Sequence, residues 1–66
     1  MAEIEIHHRH VNRAKVRRQV TGVKAKDALR CMAILRDVCK ENDWTIEDYI
    51  LKIRESGRDG WTVHGQ

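Results

Sequence analysis

Thr45-Ile46-Glu47-Asp48-Tyr49-Ile50-Leu51-Lys52-Ile53-Arg54-Glu55-Ser56-Gly57 is the stretch whose conformation decides the fold. Ile46, Tyr49, Ile50 and Ile53 stand at i, i+3, i+4 and i+7, the spacing of one apolar helical face. Thr45, with Asp48 three residues later, has the form of a capping box. Gly57 supplies a residue that readily takes the positive φ of a helix end. The pattern predicts a helix over 45–56.

Upstream, Lys24–Glu41 carries Ala25, Ala28, Leu29, Met32, Leu35, Val38 and Cys39 at three- and four-residue spacing, widened by Ala33 and Ile34. This predicts a second helix, with Asp27 and Lys40 placed to suit its dipole. Asn42–Trp44 is then a connection so short that the two helices must lie side by side, with Trp44 packed where they meet. The first residues read differently. Glu3-Ile4-Glu5-Ile6-His7 alternates with period two, and Val16–Thr21 is rich in β-branched residues, with Gly22 after it. A turn at Val11-Asn12-Arg13 would pair these strands, setting Ile4 and Ile6 beside Val16 and Val20. The competing reading makes 12–20 a basic helix, because Val16 and Val20 are also four apart. The tail, 57–66, adds a short strand or hangs as an arm. The expected fold is α+β, one domain over 1–66: an N-terminal β-hairpin (3–21) packed on a two-helix hairpin (24–41 and 45–56).

Sixty-six residues support one modest core. A chain of this size buries only about 60% of its unfolded surface, so a homodimer is an expected further support. Cys31 and Cys39 lie on one predicted helix with a rise of roughly 12 Å between them, too far for a disulfide. Two reduced thiols point to a reducing, cytoplasmic setting. No apolar run reaches the roughly 18–20 residues of a membrane span, and no signal peptide is visible.

Chemistry is sparse. Ser56 is the sole serine, the thiols fall on or near an apolar stripe where a thiolate is disfavoured, and no glycine-rich phosphate loop exists. An enzyme is not expected, and no cofactor is implied. His7, His8, His10 and His64 raise the question of zinc, with His8 and His10 on one strand face. The cysteines, however, lack the spacing to share an ion, and no metal is expected.

Charge is the informative feature. Thirteen Lys and Arg against ten Asp and Glu give a formal net charge of +3. From His8 to Lys26 the chain holds Arg9, Arg13, Lys15, Arg17, Arg18, Lys24 and Lys26 and no carboxylate. On a strand, Arg17, Gln19 and Thr21 share a side, a row suited to base edges, while the other cations suit phosphates.

The order strand 16–21, helix 24–41, short turn, helix 45–56 resembles the ribbon-helix-helix DNA-binding family. The resemblance implies an alternative fold, an intertwined dimer whose paired strands enter the major groove. It further implies that backbone amides near Thr45 and Ile46 anchor a phosphate. The expected function is nucleic-acid binding, to double-stranded DNA, by a small regulator using Arg9, Arg13, Lys15, Arg17, Arg18, Gln19, Thr21, Lys24 and Lys26. The alternative is a non-catalytic protein-interaction module, an inhibitor or adaptor. It would dock a partner on an exposed strand edge or on the acidic face Glu47, Asp48 and Glu55.

Overall fold

The structure, a computed structural model, describes residues 1–66. Its elements are β1 (Ala2–His8), β2 (Ala14–Val20), α1 (Ala28–Asn42), a single 3-10 turn (Ile46–Asp48), β3 (Tyr49–Glu55) and β4 (Thr62–His64). All four strands form one antiparallel sheet in the order β2-β1-β3-β4, and α1 covers one face. The class is α+β, but the helical hairpin is overturned: there is one helix, and 49–55 is a strand.

The β1–β2 hairpin forms as expected, with Ile6 opposite Val16, Ala2 opposite Val20 and Ile4 opposite Arg18. Basic helix 12–20 is thereby excluded. β3 takes the other side of β1, pairing Ile4 with Ile53 and Ile6 with Leu51. Ile4, Ile6, Leu51 and Ile53 are buried, beneath Cys31, Leu35, Val38 and Cys39 of α1.

α1 starts four residues later than its apolar pattern, because Asp27 caps it by accepting a hydrogen bond from the Arg30 N–H at 3.1 Å. Leu29, expected in the stripe, is 87% exposed. The inward phase is Cys31, Leu35, Val38, a sequence of i, i+4, i+7 that leaves Leu29 on the solvent side. At the other end Asp43 takes a left-handed conformation, φ 58°, while the Asp43 and Trp44 amides donate to the Lys40 and Cys39 carbonyls. This closure satisfies the last turn and turns the chain out of the helix.

Thr45 and Tyr49 are extended, so Ile46–Asp48 closes only one turn between them. The predicted helix fails for a physical reason visible in Leu51. A helix would bury Ile46, Tyr49, Ile50 and Ile53 but strand Leu51 on its polar side. As a strand, the same residues put Tyr49, Leu51 and Ile53 inward together and give β1 the second neighbour its two-sided burial needs. The ribbon-helix-helix alternative falls with the second helix, as does the phosphate anchor built on its start. Glu47, Asp48 and Glu55 no longer share a helix face: two lie in the 3-10 turn and the third ends β3. The tail resolves as β4, with Thr62 opposite Ile53 and His64 opposite Leu51. The His64 imidazole Nε2 also hydrogen-bonds with the Ala25 carbonyl at 2.7 Å, holding the approach to α1 beside β4.

Leu51→Ala is expected to lower unfolding free energy by about 2–5 kcal/mol, the cost of a core cavity. Leu29→Ala is expected to change it by less than about 0.5 kcal/mol. Urea denaturation of the two variants checks the burial pattern, and equal losses would contradict it.

Candidate interaction site: the basic edge strand

Strand geometry sorts the candidate cations. Because β1 and β2 pair as they do, Arg17 and Gln19 project from the open side of the sheet, and Val16, Arg18 and Val20 from the helix side. Arg17 Nε lies 3.4 Å from Glu5 Oε2, and Arg18 Nη2 lies 3.3 Å from Glu41 Oε2 at the far end of α1. The two neighbouring arginines thus stand on opposite faces, each beside one of the protein's own acids.

The remaining candidates disperse further. Arg9 donates from Nε to the Glu47 carbonyl at 3.0 Å and from Nη2 to the Gly65 carbonyl. It ties the end of β1 to the turn before β3 and to the tail, so it acts as a structural clasp. Arg13 is exposed in the β1–β2 connection. Lys15 is the extra residue of a bulge, where the β1–β2 register shifts between Ile6 and His7. Its ammonium sits 5.2 Å and 5.6 Å from the ring centroids of Trp44 and Tyr49, which stack at 4.6 Å. Thr21 lies beyond the end of β2 and outside the expected row. Lys24 and Lys26 border a cleft shared with Arg54, Glu55, Arg58 and Asp59, near β4 and away from the β2 edge.

The open face is no basic platform either. Glu3 and Glu5 stand at its centre on β1, with Arg54 Nη2 3.0 Å from Glu3 and His7 Nε2 3.0 Å from Glu5. Lys52 donates to the Asn12 side chain at 3.3 Å, and Trp61 lies 4.6 Å from the Arg54 guanidinium. Opposite charges are interleaved across this face, which leaves little net field.

What the sheet does expose is an edge. β1 bonds to β2 on one side and to β3 on the other, whereas β2 has no neighbour beyond it. A strand in that position presents alternate N–H and C=O groups outward, a template for another extended chain. β4 occupies the opposite edge with only three residues, Thr62–His64, against seven in β2. The edge features Val16, Val20, Glu5 and Glu41 were absent from the sequence-derived set. Glu5 was readable in principle, since a hairpin turning at residue 11 places it opposite Arg17.

Other chemistry is meagre. Burial raises the Cys31 thiol pKa above its ordinary 9.0, with the Asp27 carboxylate adding to the effect. Burial does the same for Cys39, with Glu47 contributing. Neither thiolate is favoured near neutral pH, and no three His, Cys, Asp or Glu side chains are grouped to hold a metal ion. No helix is long and apolar enough to cross a membrane. No family model, curated protein or solved structure matches the chain.

Arg9→Ala is expected to cost about 1–3 kcal/mol, because two carbonyls lose a charged donor. Arg13→Ala is expected to stay within about 0.5 kcal/mol. Urea midpoints measure both, and a neutral Arg9 variant would remove the clasp.

Proposed function

We propose that the protein is a non-catalytic interaction module that holds a partner protein along the open edge of β2. One observation carries this reading: β2 is an uncovered edge strand whose cations emerge from both faces of the sheet. A strand added in the plane of the sheet alternates its own side chains above and below, so it meets both sets. A polyanion lying on one face meets one set only, and on the open face it also meets Glu3 and Glu5. The positive edge additionally discourages accidental pairing with other strands, which gives the site selectivity toward acidic partners.

Nucleic-acid binding is the second reading. It is favoured by the acid-free run from His8 to Lys26 and by four of its cations, Arg13, Lys15, Lys24 and Lys26, whose side chains form neither an ion pair nor a hydrogen bond. The same four are divided between two regions of the molecule, so one duplex does not gather them all.

The two readings separate in one comparison. The isotope-labelled chain is mixed with a pool of extended peptides rich in valine and glutamate, and separately with a short DNA duplex. Strand docking predicts that the peptides protect amides within Ala14–Val20 from exchange and that the duplex leaves them unaltered. The proposal is overturned if the peptides leave β2 untouched while the duplex binds. For four phosphate contacts that binding would weaken with salt at a log–log slope of roughly −3 to −4.

A further inference from the structure

The side chains along β2 also define the kind of segment that fits there, an inference that rests on β2 being the docking edge. We propose that the bound segment carries two adjacent acidic residues bracketed by apolar ones. Read parallel to β2 the order is apolar–acid–acid–polar–apolar, and read antiparallel it is the reverse.

The order follows from five consecutive residues. Val16 and Val20 lie on the helix side, half-buried against the core, and each leaves apolar surface at the sheet edge. An incoming strand that sets apolar residues opposite them extends the core by one row. Arg18 stands between them on the same side, and Arg17 stands on the open side, so two neighbouring acids each find a guanidinium. Gln19 shares the open side with Arg17 and takes a polar neighbour. The bulge at Lys15 breaks the regular edge, so Val16–Val20 is the length that can be matched in register.

Glu5 and Glu41 do not block this exchange. Arg17 approaches Glu5 with Nε, and Arg18 donates to Glu41 from Nη2. A guanidinium has five N–H donors, so each arginine keeps its internal acid and still bonds a second carboxylate. The Arg17 side chain is 76% exposed and that of Arg18 is 47% exposed, so both are accessible, and pairs this exposed are held weakly. A second copy of the chain is the wrong occupant. β2 contains no acid, so in any self-pairing Arg17 and Arg18 meet only neutral or basic residues.

The test uses the full chain and synthetic peptides read by fluorescence anisotropy and amide exchange. The core of one acidic peptide is Val-Glu-Glu-Thr-Val and that of another is its reverse. Control peptides replace both glutamates by lysine, or N-methylate one or the other of the two alternate sets of backbone amides of the acidic peptides. At least one acidic peptide is expected to bind and to protect β2 amides. The lysine versions should bind roughly tenfold more weakly or worse, since two cross-strand pairs are reversed. N-methylation of the set that faces β2 should abolish binding and that of the other set should not, whereas simple charge attraction survives both. In the double variant Arg17→Glu, Arg18→Glu, the preference should switch to the lysine peptides. If that variant fails to fold, the peptide arms on the native chain still decide. Equal protection of β2 by acidic and basic peptides overturns the acid–acid pattern and leaves the docking edge standing. Absence of protection by every peptide overturns both. Binding of both N-methylated forms as tightly as their parent overturns strand addition.

Discussion

The fold depends on β1 having a bonded strand on each side. Ile4 and Ile6 are buried beneath α1, flanked by Arg18 and Val16 on one side and by Ile53 and Leu51 on the other. A lone hairpin of this length is marginal in water, and one helix laid on two strands leaves its flanks wet. Inserting β1 between β2 and β3 turns a hairpin and a distant segment into a continuous floor. α1 covers that floor, its approach held beside β4 through His64, while Glu41 near its end lies beside Arg18 of β2.

That arrangement also dictates the electrostatics. With the even-numbered residues of β1 turned inward, Glu3, Glu5 and His7 must face away from the helix. The two glutamates are the acids around which Arg17 and Arg54 settle, so a chain with a net charge of +3 presents a mixed open face. The sheet has few strands, and its longest uncovered edge falls on the segment that carries no carboxylate. An open edge guarded by cations is a familiar means of preventing indiscriminate strand pairing. Under the proposed strand docking the same cations also select what the edge accepts, so protection and recognition come from one set of side chains.

Much of this was readable in the amino-acid order, and the exceptions have physical causes. The β1–β2 hairpin and α1 followed from clean periodicities of two and of three to four. The stretch 45–56 was ambiguous because Tyr49 and Ile53, four apart, satisfy both periods, and the helical reading had cap-like residues at both ends. Leu51, unexplained by a helix, was the discriminating signal. Leu29 was misplaced because Cys31, Leu35 and Val38 set the inward direction of α1, and Leu29, two residues before Cys31, falls about 200° round the helix from it. Among the candidate site residues, a linear run of cations said nothing of where each would point. Neighbouring strand residues oppose one another, which parts Arg17 from Arg18, and the loop after β2 carries Lys24 and Lys26 toward β4. Arg9 joined the set by its charge, yet its position at the end of β1 makes it a clasp on two carbonyls.

The central claim is that the outer side of β2 is unoccupied and available in the protein alone. Residue-resolved hydrogen exchange of the free chain measures this directly. The account predicts an alternating record along Ala14–Val20, with amides bonded to β1 protected and those between them exchanging nearly as fast as in an unfolded chain. Uniform protection along β2, unchanged on dilution, would show that the edge is already covered and would contradict it.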